Sequence, residues 1–140
     1  MQQVAFDIRL ALLSEDSMAF TLHLYASFLA LGLGAIVLLS TKGTMLHRIM
    51  GSTWVLAMAL SALSSFWFGG GVLPLLGHFG PIRLLSLWVL VALAVAVLAI
   101  LKGRVEQHRS WMRGAYLGLV GAFIGTLAPG RWVAVQLGIW

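Results

Sequence analysis

The stretch LLSLWVLVALAVAVLAIL at residues 84–101 decides the fold of this chain. It carries no charge, and its length falls within the range of about 17–25 residues that crosses a bilayer as a helix. Backbone groups in hydrocarbon must be hydrogen-bonded within their own segment, so the stretch is predicted to be α-helical. Three further apolar runs surround it. The sequence therefore predicts four membrane helices, at residues 17–40, 49–68, 82–101 and 111–128.

The composition supports the same conclusion for the whole chain. Of 140 residues, 61% are hydrophobic and 9% charged, whereas an average soluble domain has about 25% charged residues. This excludes soluble enzymes, nucleic-acid-binding modules and disordered tails. No ten-residue segments alternate apolar with polar residues, which excludes a membrane β-barrel. We therefore expect one all-α domain over residues 1–140, an integral membrane four-helix bundle.

The basic residues indicate how the helices are oriented. Residues 41–48 contain Lys42 and Arg48 without an acid, and residues 102–110 contain Lys102, Arg104 and Arg109. Loops rich in lysine and arginine stay in the cytoplasm. Both loops are therefore predicted to be cytoplasmic, with both termini and residues 69–83 on the outer side.

The two halves of the chain resemble each other. Lys42-Gly43 precedes His47-Arg48, and Lys102-Gly103 precedes His108-Arg109. This favours two tandem helical hairpins related by an axis along the membrane normal, although positive-inside loop chemistry alone also explains the similarity. Small residues recur at a spacing of four, which lets membrane helices approach closely. They are Ala26, Ala30 and Gly34; Thr53, Ala57, Ser61 and Ser65; Ala92 and Ala96; Gly114 and Gly118; Gly121 and Gly125.

Several chemistries lack the residues they need. The apolar runs contain no acid, which argues against a proton pump or cation transporter, because these keep ionisable groups at mid-membrane depth. No paired carboxylates suited to hydrolysis occur. The absence of cysteine excludes disulfides, thiolate metal sites and covalent haem attachment. Six tryptophans are present, and Trp54 and Trp111 are expected near the inner boundary as part of an aromatic belt.

Four histidines remain as candidate functional residues. His23 lies inside the first apolar run, His47 and His108 begin the second and fourth helices, and His78 lies in the outer loop. A b-type haem needs two imidazoles from facing helices. His47 with His108 on the inner side, and His23 with His78 on the outer side, are the two pairs that depth allows. Propionates of a haem would find charge partners in Arg48, Arg109 and Arg113.

Simpler roles explain the same histidines. His47 and His108, each beside an arginine, also suit binding of lipid phosphate at the membrane surface. His78 suits a solvated loop, and His23 suits a hydrogen bond to a neighbouring carbonyl or to Ser27.

The string His108-Arg109-Ser110-Trp111-Met112, with His47-Arg48 and an earlier His23, resembles a family of small bacterial membrane proteins known as domain of unknown function 2306. The resemblance extends from about Leu22 to Gly125. It implies a four-helix protein of the bacterial plasma (inner) membrane, with His23, His47 and His108 as signature residues, and it brings no established activity. In its four helices and two-sided histidines the chain is also loosely similar to ascorbate-reducible b-type cytochromes.

Two functions follow as hypotheses. The first is a non-catalytic subunit or accessory protein of a larger membrane assembly, whose partners are lipids and other transmembrane proteins and not nucleic acid. The second is a b-type haem protein that transfers electrons. A third, a metal- or quinone-handling enzyme around His23, has the least support, and an enzymatic role is not indicated.

Overall fold

The computed structural model describes residues 15–68, 81–128 and 138. Four helices account for nearly all of these residues: α1 at Glu15–Leu39, α2 at Met45–Phe68, α3 at Pro81–Leu101 and α4 at Val105–Thr126. Within the described ranges there is no strand. The prediction of an all-α four-helix protein is confirmed. Helices α2 and α4 begin earlier than predicted, so His47 and His108 lie in the first turn of their helices.

Three of the described helices are long and apolar enough to cross a membrane. The candidate spans are Met18–Leu39 in α1, Met45–Trp67 in α2 and Arg83–Leu101 in α3. Helix α4 is not in this set, since Arg109, Arg113 and its glycines reduce its hydrophobic character. That α4 crosses the membrane stays a prediction, as do the sides on which the termini lie.

The described residues belong to two compact units, Met1–Val91 and Ala92–Trp140, which divide within α3. In the first unit α1 and α2 pack against each other in antiparallel directions. Ala26, Ala30 and Ala57 are buried, as the small-residue spacing predicts. Thr53 is exposed instead, and its hydroxyl donates to the Ile49 carbonyl of its own helix.

Trp54 corrects the expectation of an aromatic belt. Its side chain is only 3% exposed, and its indole N–H donates to the Ala30 carbonyl at 2.8 Å. A buried indole needs such an acceptor. Trp54 lies about 13 Å along α2 from Met45, where the candidate span of this helix begins. The indole of Trp54 therefore joins α2 to α1 inside the hairpin and is not part of an exposed belt.

Serine hydroxyls connect α2 to the beginning of α3 in the same unit. Ser65 and Ser86 are both buried, and their Oγ atoms lie 2.6 Å apart. The Ser65 hydroxyl also lies 2.7 Å from the Ala62 carbonyl oxygen of its own helix. Close by, the Arg83 guanidinium donates to the Phe66 carbonyl at 3.4 Å. Hydrogen bonds between membrane helices contribute about 0.6 kcal/mol each on average.

In the second unit the end of α3 turns into α4. Ala92, Ala96, Ala99 and Ala115 are buried. By contrast, Gly121 and Gly125 are exposed, and a Cβ added at either would meet nothing within 4 Å. The close packing expected of this glycine pair is absent from the described part of the chain.

Candidate functional site

His23 lies in α1 and reaches across to α2. Its Nδ1 atom is 2.8 Å from the Ser61 carbonyl oxygen and 3.4 Å from the Ser61 hydroxyl. The Ser61 hydroxyl is also 2.6 Å from the Ser27 hydroxyl, and Ser64 donates to the Ser61 carbonyl at 3.0 Å. A histidine and three serines thus form a polar cluster within the apolar spans. We call His23, Ser27, Ser61 and Ser64 the α1–α2 polar cluster.

His47 lies in the first turn of α2 and reaches back to the end of α1. Its Nδ1 is 3.1 Å from the Ser40 hydroxyl. Ser40 Oγ in turn donates to the Val37 carbonyl at 2.9 Å. The direction of the hydrogen bond between Ser40 and His47 depends on the tautomer of the His47 ring. The histidine therefore closes the α1–α2 hairpin at the end opposite to His23.

His108 has the equivalent position in the second unit. Its Nδ1 is 2.9 Å from the carbonyl oxygen of Ala96, one turn before the end of α3. The ring is half-buried, and it is turned towards α3 instead of extending into water. A ring that served only to contact lipid phosphate would have no reason for this inward hydrogen bond.

His23 and His108 share one tautomer. A carbonyl oxygen can only accept a hydrogen bond, so Nδ1 carries the proton in His23 and His108. In the neutral ring, Nε2 then carries the lone pair. Histidines that bind metals and haem are commonly fixed in this way through Nδ1, and so are histidines that merely join helices.

The structure places His23 and His47 at opposite ends of the α1–α2 hairpin. Ser61, the partner of His23, lies about 21 Å along α2 from His47, so these two rings cannot share one ligand. His47 and His108 belong to different units, and their pairing stays a prediction. His78 lies outside the described residues. Within the described ranges, no group of three histidine or acidic side chains is arranged to hold a metal ion.

The three candidate arginines have different surroundings. Arg48 and Arg113 are exposed. Arg109 forms an ion pair with Glu106, with Nη1 and Oε1 2.9 Å apart. All three lie within the first two to three turns of their helices. They therefore lie towards the starts of α2 and α4.

Sequence reasoning did not identify the serines as a polar network. Ser61 and Ser65 were predicted to be buried only because they are small, and their hydroxyls turned out to bond across helices. The available signal is the serine content of residues 61–65, which a purely apolar helix would not contain. Buried hydroxyls need acceptors, so serines in a membrane helix indicate a neighbouring helix.

Comparison with known proteins identifies the family to which this chain belongs. The model of a family described as "predicted membrane protein (DUF2306)" matches residues 20–137. The chain belongs to this DUF2306 family of membrane proteins, as the His-Arg-Ser-Trp-Met string indicated. No curated protein and no solved structure matches the chain.

Proposed function

We propose that this protein is a non-catalytic subunit of a larger membrane assembly and that it binds its partner through the outer face of α1. The observation that carries the proposal is Tyr25, whose side chain is 73% exposed. Leu22 and Leu29 flank it on the same face and are about half exposed. This face lies opposite to the one that carries His23 and packs on α2.

The depth of Tyr25 makes its exposure informative. The residue lies about 10 Å inside the span that begins at Met18. In the described part of the chain its hydroxyl makes no hydrogen bond. Lipid acyl chains offer no acceptor, and a hydroxyl that faces hydrocarbon without one is costly. A neighbouring transmembrane helix supplies both an acceptor and apolar contacts, and aromatic residues are enriched in such interfaces.

Gly32 supports the same face as a docking surface. It lies two turns beyond Tyr25, and a Cβ added there would meet nothing within 4 Å. The polar residues of the α1–α2 cluster bond to one another inside the hairpin. Tyr25 and Gly32, which do not contribute to packing inside the hairpin, thus lie on the outer surface of α1. We expect the assembly to be in the bacterial plasma membrane, with residues 41–48 and 102–110 in the cytoplasm.

The mass of the purified protein tests this proposal. Extracted in a mild detergent, the 15.1 kDa chain is expected to elute with a second polypeptide at a fixed ratio. Tyr25→Ala should reduce the proportion of this complex. Leu56→Ala is the matched control, because Leu56 is also 60% exposed but lies on α2. A chain that is always free of other polypeptides, or equal loss in both variants, would contradict the proposal.

A haem protein is the second candidate, and the His108 geometry favours it. The hydrogen bond from Nδ1 to the Ala96 carbonyl leaves Nε2 as the lone-pair atom that haem iron binds. Gly51, one turn after His47, has open space beside it. His47 and His108 would be the inner ligands, with His23 and His78 as the outer pair. Arg48, Arg109 and Arg113 would neutralise the propionates.

An absorption spectrum decides between the two candidates. The haem hypothesis predicts a Soret band in the protein purified from cells supplied with haem. His108→Ala should abolish this band, whereas Gln107→Ala, a change at the neighbouring position, should leave it unchanged. A colourless protein after haem supplementation rejects the haem hypothesis and leaves the subunit proposal standing.

A further inference from the structure

Arg113 is a charged residue in the third turn of α4, a helix that is predicted to cross the membrane. It lies about 12 Å along α4 from Val105 and is exposed. Arg109 precedes it by four residues, so the two guanidinium groups lie on the same face of the helix. After Arg113, the remainder of α4 carries no charge. Arg113 therefore marks the level at which the polar beginning of α4 gives way to its apolar part.

The protein supplies no counter-charge for Arg113 in the part of the chain that the structure describes. Glu106 is the only acid of α4, and it pairs with Arg109 at 2.9 Å. It lies about 10 Å along the helix from Arg113, too far to serve both arginines. The guanidinium of Arg113 makes no hydrogen bond or ion pair with any described residue. An uncompensated arginine at the edge of hydrocarbon is costly.

We infer that Arg113 binds the phosphate of an anionic phospholipid, with Arg109 beside it. A planar guanidinium donates two parallel hydrogen bonds to a phosphate, a geometry that the lysine ammonium cannot reproduce. The lipid is the occupant because the residue is exposed on the outer surface of the helix, at the depth of the headgroups. The bound headgroup would hold α4, the least apolar of the four helices, against the bilayer.

The surroundings of Arg113 differ from those of the neighbouring basic residues Arg104 and Lys102. Arg104 is exposed but donates to the Gln107 side chain at 3.1 Å. Lys102 lies in the turn before α4, further from the apolar part of the helix. Arg104 is therefore a suitable control position for a loss of positive charge near the same end of α4.

Native mass spectrometry of the full chain tests the inference. The protein is exchanged into micelles that contain equal phosphatidylglycerol and phosphatidylcholine, and the lipids retained on the chain are counted. The wild type should retain phosphatidylglycerol in preference. Arg113→Gln should lower this preference about tenfold, as loss of charge-assisted hydrogen bonding predicts. Arg104→Gln should change it little.

Further arms distinguish the alternatives. Arg113→Lys keeps the charge and removes the planar fork, so it should lose part of the preference. It also provides the test if the glutamine variant is not recovered. Unchanged retention in the lysine variant, or equal loss in the Arg113→Gln and Arg104→Gln variants, overturns the inference. So does displacement of the lipid by inorganic phosphate, because this would identify a site for free phosphate.

Discussion

The two turns that carry a Lys-Gly pair look alike in sequence and are built differently. In the first, Lys42 caps the end of α1, and its ammonium donates to the carbonyls of Val37, Leu38 and Ser40. Thr44 then caps α2 by accepting from the His47 amide at 3.1 Å. Side chains therefore satisfy the backbone groups at both helix ends of this turn.

The second turn uses the backbone for the same task. The Arg104 amide donates to the Ala99 carbonyl at 2.8 Å, and the Gly103 amide donates to Ile100 at 3.0 Å. This is the Schellman arrangement of a helix C-terminus. Among the residues that the structure describes, Lys102 makes no comparable side-chain bond, and no side chain caps the start of α4. Both turns thus have a glycine with positive φ and a histidine in the first turn of the next helix, but only the first lysine caps a helix.

Among substitutions in the two turns, those of the glycines should lower the free energy of unfolding the most. Gly43 and Gly103 have φ values of +82° and +72°, and a Cβ at either meets nothing within 4 Å. The cost of Gly43→Ala or Gly103→Ala is therefore conformational, about 1–2 kcal/mol each. Detergent-induced unfolding measures it. The exposed Gly121→Ala, within a helix, is the control and should not destabilise. A negligible effect at both turn glycines would contradict the assigned turns.

Removal of the histidine hydrogen bonds should have the next largest effect on the free energy of unfolding. Loss of the bond in His108→Ala or His47→Ala should destabilise the fold by about 0.6–1.7 kcal/mol. The acceptors allow a sharper comparison, because His47 bonds to the Ser40 side chain and His108 to a backbone carbonyl. The double variant Ser40→Ala, His47→Ala should therefore be less destabilised than the sum of its single variants. Strict additivity would show that this pair does not interact.

Substitution of the lysines should change the free energy of unfolding the least. It should also show the clearest difference between the two turns. Lys42→Met removes the cap of α1 and should cost about 0.3–1 kcal/mol, the usual value for a cation at a helix C-terminus. Lys102→Met removes no capping bond and should leave the free energy of unfolding unchanged. Both variants retain the aliphatic bulk of lysine. Equal losses would mean that the two turns are capped in the same way.

Hydrophobic pattern was sufficient to predict the helices of this chain. Long uncharged runs in hydrocarbon have few backbone solutions, so the four helices follow from the sequence with small errors at their ends. The same reasoning identified His23, His47 and His108. It misplaced Trp54 because tryptophan favours the membrane surface as a class, whereas this indole finds an acceptor in Ala30 inside the hairpin.

The contacts made by polar side chains were beyond prediction from the sequence. Which carbonyl accepts from His23, or which hydroxyl faces Ser65, depends on the register of one helix against another. Small residues spaced by four allow several registers, and Gly121 with Gly125 shows that such a pair also occurs on an exposed surface. The role of Lys42 likewise depends on a turn geometry that Lys102 does not share.

The most direct test of the account concerns the outer face of α1. A photoreactive amino acid is placed at position 25, and at position 56 as the control, and native membranes are irradiated. The account predicts a discrete crosslinked product with another membrane polypeptide from position 25 and none from position 56. Crosslinks from position 25 to lipid alone would contradict the assignment of this protein as a membrane subunit that docks through α1.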